Sequence, residues 1–130
     1  MDKLYESLGV DHVVLRVRDQ DASQRFYCDL LGATLDHVNP KFSLIHLRFG
    51  QAYIDLLPLD PKAPAPSPEG GMDHVCLSIR CEDLGKVADA LRARGVTVEG
   101  EITERRGAFG QGPSIYLRDP DGYRVELKPR

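Results

Sequence analysis

Cysteine is scarce and unpaired in this sequence: Cys28, Cys76 and Cys81 are odd in number and form no Cys-x-x-Cys pair. That excludes a disulfide framework and a thiolate zinc site, and it suits a reducing, cytoplasmic setting. The simplest reading of Cys28, on an expected helix, and Cys76, on an expected strand, is that they are small buried hydrophobes. Long apolar runs are missing as well. None approaches the roughly 18 residues of a membrane span, and the opening Met-Asp-Lys-Leu-Tyr-Glu lacks the apolar stretch of a secretory signal. Positive charge is not in excess, with 17 Lys and Arg against 20 Asp and Glu and a net charge of -3. The chain therefore has no electrostatic footprint for nucleic acid or an anionic membrane, and a small molecule is the expected partner.

What is present is enough for one domain: 130 residues, 42% of them hydrophobic, can bury a core without staples. An internal repeat organises that length. Asp11-His12-Val13-Val14-Leu15-Arg16-Val17 matches Asp73-His74-Val75-Cys76-Leu77-Ser78-Ile79 at four offsets. Each is followed by a stretch of helical character, Asp21–Leu31 closed by Gly32 and Glu82–Arg94 closed by Gly95, with acids at the start and glycine at the stop. Ile54-Asp55-Leu56-Leu57-Pro58 lines up with Val125-Glu126-Leu127-Lys128-Pro129. The chain thus reads as two βαβββ modules, about 8–58 and 72–130, joined by an extended 58–71 connector with prolines at 58, 61, 64, 66 and 68.

Strands are expected near 11–17, 33–38, 43–49 and 52–57, and near 73–80, 96–102, 114–118 and 123–128. Asp119-Pro120-Asp121-Gly122 is a tight turn that makes the last two a hairpin. Strand alternation then sorts the side chains. Val13, Leu15, Val17, Val75, Leu77, Ile79, Ile54, Leu56, Val125 and Leu127 form the aliphatic faces, each to be covered by its module's helix. The opposite faces gather His12, His74, Asp55, Glu126, Arg16, His46, Tyr53 and Tyr116. The expected fold is α+β, with the two modules forming a curved eight-stranded mixed sheet around a cleft. Two imidazoles and two carboxylates at repeated places suit one divalent cation, of Zn, Ni, Mn, Fe or Co.

These residues resemble the vicinal-oxygen-chelate superfamily, which includes glyoxalase I, fosfomycin- and bleomycin-resistance proteins, methylmalonyl-CoA epimerase and extradiol dioxygenases. The resemblance spans about residues 8 to 130, as a single glyoxalase-like domain. It rests on Asp11–Val17, on Arg25-Phe26-Tyr27 leading to Leu30-Leu31-Gly32, on Asp73-His74-Val75, and most specifically on Leu117-Arg118-Asp119-Pro120-Asp121-Gly122-Tyr123-Arg124-Val125-Glu126-Leu127. It implies metal ligands on the first and last strands of each module: His12, Asp55, His74 and Glu126. By analogy with glyoxalase I it implies Glu126 as the leading proton-transferring base, Asp55 as its counterpart, glutathione as cosubstrate, and Arg16 as an anion contact. It also implies a homodimer. Asp55 departs from the Glu usual there and is one methylene shorter, so direct ligation, ligation through water, and a His-His-Glu set without it all stay open.

The implied activity is a metal-dependent lyase or isomerase that chelates a small oxygenated substrate and moves a proton. The rivals are a fosfomycin-type epoxide-opening transferase, a non-catalytic bleomycin-resistance-like binding protein, and an extradiol dioxygenase. Thr103–Gly112, with glycines at 107, 110 and 112 and with Arg105 and Arg106, reads as a glycine-rich loop, either a lid over an anionic substrate or a solvated surface segment.

Overall fold

A computed structural model of the chain describes residues 6–130, so the reading of the first residues as no secretory signal lies outside the described residues. The chain divides into two compact units, the first ending at Pro61 and the second starting at Lys62. The first contains β1 (His12–Val17), α1 (Gln20–Gln24), β2 (Thr34–Asn39), β3 (Leu44–Phe49) and β4 (Ala52–Pro58). The second repeats the order as β5 (Val75–Ile79), α2 (Leu84–Ala93), β6 (Thr97–Gly107), β7 (Gly110–Arg118) and β8 (Arg124–Pro129). The tandem βαβββ fold is thus present, its eight strands shared between two four-stranded mixed sheets, β1-β4-β3-β2 and β5-β8-β7-β6. In each, the first and last strands pair in parallel and the remaining neighbours are antiparallel.

Local chemistry sets the helix ends. Asp19 caps α1 by accepting from the Ala22 amide at 3.0 Å, and Asp83 caps α2 from the Lys86 amide at 3.2 Å. After five residues α1 widens into π-helical winding over Arg25–Leu30, with the Leu31 N–H donating to the Phe26 carbonyl at 3.1 Å. Gly32 and Gly95 follow the helices at φ of 86° and 85°, a left-handed backbone that other residues adopt at a cost.

The alternation read from sequence separates buried from open faces. Leu15, Val17, Leu47, Ile54 and Leu56 join Phe26, Tyr27 and Ala33 in the first core; Leu77, Ile115, Leu117, Val125 and Leu127 join Leu84, Ala88, Leu91 and Val96 in the second. In the first unit α1 lies against β4, and in the second α2 lies against β6 and β7. The DPDG turn forms as expected: Asp119 Oδ1 accepts from the amides of Asp121 and Tyr123, both at 2.9 Å.

The glycine-rich loop is a correction. Thr103–Gly112 is not a loop but the outer half of the β6–β7 hairpin, paired as Thr103↔Ser114, Arg105↔Gly112 and Gly107↔Gly110. Only Ala108 and Phe109 remain for the turn. Glycine's weak strand preference suggests a loop from local sequence alone; the cross-strand ladder overrides it.

Candidate functional site

In the second unit the polar face of β5 and β8 builds a His–carboxylate pair. Asp73 Oδ2 lies 2.7 Å from His74 Nδ1, which turns Nε2 toward Glu126 Oε1 at 3.1 Å. The imidazole hydrogen bond holds the Asp73 carboxyl below its ordinary range. Glu126 is buried, with 5% of its surface exposed, and reaches the site because β8 is an inner strand of its sheet. Tyr116, opposite Glu126 on β7, sets its ring 5.4 Å from that of His74. The guanidinium groups of Arg105 and Arg124 lie 4.6 Å and 5.3 Å from the same ring. Burial, with the Glu126 charge beside it, pushes the Tyr116 phenol upward. Around this pair opens a cavity of about 390 Å³, lined by His74, Cys76, Ser78, Glu126, Lys128 and the tip of the β6–β7 hairpin.

The first unit places its pair differently. His12 Nδ1 lies 2.7 Å from Asp11 Oδ1, and that bond, with Asp55 adding to it, raises the imidazole above its ordinary value. Asp55 is 3% exposed, but its Oδ1 is held at 2.8 Å by His46 Nδ1 from β3. His46 and Tyr53, expected as cleft lining, therefore work within the unit. Tyr53 donates its hydroxyl to Asp36, stacks near His46 at 5.0 Å and lies 4.4 Å under the Arg48 guanidinium. Arg16 is exposed and donates to the Pro58 carbonyl at 3.3 Å.

The donor chemistry fits a borderline divalent ion: each unit offers one imidazole with a fixed Nδ1 partner and one buried carboxylate. A 3.1 Å separation of His74 Nε2 and Glu126 Oε1 suits two ligands that each bond at about 2.0–2.2 Å. Within neither unit do three His, Cys, Asp or Glu side chains gather as a complete metal cage among the described residues. Cys28 and Cys76 are not the buried residues expected: Cys28 is half-buried and Cys76 is exposed on the open face of β5. Loss of solvent around the Cys76 sulfur, with Glu126 adding and Lys128 opposing, pushes its thiol up to about 11, which disfavours the thiolate.

Sequence reasoning missed two residues. His46 as the holder of Asp55 is visible only from the β3–β4 register. Lys128 shares the Glu126 face of β8 by the same alternation, and a lysine two residues after a candidate ligand is a usable signal.

Paired modules of this topology, with a His on the first strand and a carboxylate on the last, define a class of proteins. A sequence profile of the Glyoxalase/Bleomycin resistance protein/Dioxygenase superfamily matches residues 9–127, and the chain belongs to that family. It is 37% identical over 122 residues to "Virulence protein STM3117" of Salmonella typhimurium, covering 91% of this chain and 81% of that protein. A "Probable lactoylglutathione lyase" of Synechocystis is 30% identical over 126 residues, covering 89% and 91%. Among solved structures, a Vibrio cholerae integron cassette protein superposes with a TM-score of 0.76 at 27% identity over 98% of both chains. No helix among the described residues is long and apolar enough to cross a membrane.

Proposed function

We propose that the chain is a divalent-metal-dependent, glyoxalase-like lyase or isomerase acting on a small oxygenated substrate. The observation that carries this reading is the approach of His74 Nε2 to Glu126 Oε1 at 3.1 Å, with Asp73 behind the imidazole. The ligands we assign are His12 and Asp55 in the first unit and His74 and Glu126 in the second. A bound divalent ion supplies Lewis-acid polarisation of a substrate oxygen. Asp11 and Asp73 each hold an Nδ1, leaving the Nε2 atoms as donors. Glu126, buried between the His74 imidazole and the Cys76 thiol, is the group we assign to take a proton from one carbon and return it to the neighbouring one. Asp55, pinned by His46, is assigned to ligation or positioning rather than to proton transfer. The name of the Synechocystis relative supports a hemithioacetal of glutathione as the first substrate to test. A homodimer working in the cytoplasm is part of the same reading.

Elemental analysis of untagged protein, wild type beside His74→Ala, tests it. About one equivalent of a transition metal, lost in the variant and accompanied by turnover of the methylglyoxal–glutathione hemithioacetal, is the expected result. A wild type that is metal-free and refuses added Ni, Zn, Mn and Fe overturns it.

A further inference from the structure

The cavity of the second unit holds a buried cation that the chemistry above does not use. Lys128 is 7% exposed, and its Nζ donates to the carbonyls of Arg105 at 2.9 Å and Gly112 at 3.0 Å. Among the described residues no carboxylate pairs with it. Carbonyl dipoles hold the ammonium in place, but no carboxylate touches it to balance its charge directly, a costly arrangement for a group taken out of water. Two of its three protons are spoken for, so one donor remains.

The surroundings are cut to this side chain. A Cβ on Gly107 would come within 2.7 Å of Lys128 Cε, and one on Gly112 within 3.3 Å of Nζ. The hairpin glycines therefore make the space that the lysine fills. Ser114 lies on the strand beside Lys128 and on the same sheet face, because Ile115 pairs with Leu127. Its hydroxyl is buried and has no partner among the described residues. Arg106 and Arg130 line the same cavity, the latter stacked 4.0 Å over the Phe109 ring. The strand itself does not require a lysine: the equivalent place in the first unit is Leu57, opposite Arg16, where the second unit sets Lys128 opposite Ser78.

We propose that Lys128 anchors a compact oxyanion, a carboxylate or a phosphoryl group, at one end of the substrate, with Arg106 and Arg130 favouring its approach. The anchor rests on the reading of His74 and Glu126 as the reactive end. Two residues along a strand span about 6–7 Å, so the anion lies a few bonds from the reacting carbon. A cavity near 390 Å³ is at the small end of ligand sites. The preferred substrates are thus small hydroxy or oxo compounds bearing one anionic terminus, and Lys128 determines that specificity.

Binding to EDTA-treated full-length protein tests the anchor apart from any metal chemistry. The probes are 2-hydroxybutyrate, glycerol 3-phosphate and the neutral 1,2-butanediol, followed by calorimetry and by amide NMR shifts at Gly107 and Gly112. One or both anions are expected to bind and to shift those amides, the diol to do neither, and the preferred anion identifies the terminus. Lys128→Met is expected to weaken the anion at least tenfold while keeping a dispersed NMR spectrum; Lys128→Arg recovers part of the loss and Arg106→Ala loses severalfold. Equal binding of the diol to wild type overturns the proposal whatever the variants do. So do anion affinities within twofold of wild type in Lys128→Met, or no anion binding at all. Anion binding in a protein without lyase turnover would leave the anchor standing and remove the proposed reaction.

Discussion

The two units are built on one plan and equipped unequally. Residue for residue the ladders correspond: His12 with His74, Asp55 with Glu126, His46 with Tyr116, Leu57 with Lys128. Even the outer ion pairs correspond, since Asp36 receives Arg48 and Tyr53 where Glu99 receives Arg118 and Arg124. Yet Asp55 is tied to a histidine of its antiparallel neighbour β3, whereas Glu126 meets the imidazole that precedes its parallel neighbour β5. Among the described residues, it is the second unit that adds a buried lysine beneath a long hairpin. One methylene and one neighbour separate a carboxylate held by a histidine of the adjacent strand from the one to which we assign proton transfer.

That asymmetry is breakable at several levels. The largest effect belongs to the base we assign: Glu126→Gln is expected to cost about 10²–10⁴-fold in kcat/KM for the substrate turned over, the usual worth of a positioned general base. Asp55→Asn, which keeps an acceptor for His46 but removes the negative charge, is expected to cost less, and equal losses would erase the distinction between the units. Next come the cores. Leu47→Ala and Leu117→Ala remove side chains with 0% exposure and should each cost about 2–5 kcal/mol in urea unfolding. Smaller again is the support of the imidazole: Asp73→Asn should weaken metal affinity by about 10–100-fold, measured by competition with a chelating dye.

The smallest effect is at the rim of the second sheet. Glu99 takes a two-pronged contact from Arg118, at 2.6 Å and 3.2 Å, and its carboxyl is held below the ordinary range by that guanidinium. A folded-state value below the unfolded one stabilises the fold above the unfolded carboxylate range, and the gain is lost as pH falls through the folded value. Glu99→Gln should therefore cost up to about 1 kcal/mol at pH 7, given the partial exposure. Wild type and variant should converge in acid unfolding below the carboxylate range; a gap that persists there would assign the effect to packing.

The sequence carried the repeat, the faces of the strands and the DPDG turn, because each is a local pattern with a fixed period. Asp-His at both module starts and a carboxylate at both ends were enough to choose His12, Asp55, His74 and Glu126. What stayed hidden depends on partners far along the chain. The β6–β7 ladder absorbs glycines that read locally as a loop, and Gly107 answers to a lysine 21 positions later. His46 and Tyr53 were placed on the correct face, but which neighbour each holds follows from strand register, and short-range alternation carries no information about register. The widening of α1 into π-helical turns leaves no mark in the hydrophobic spacing at all.

In both sheets the last strand is inserted between the first and the third. Parallel pairing closes the longest loop of the module and is entropically the slowest contact to make. During synthesis the second sheet therefore stays split, with β5 on one side and the β6–β7 hairpin on the other, until β8 arrives to bridge them. The strand that completes the fold is the one that carries Glu126 and Lys128. A chain stopped before Arg124 would lose the seam of its sheet and both side chains together, so no partly made form has the Glu126 carboxylate exposed on an unfinished scaffold.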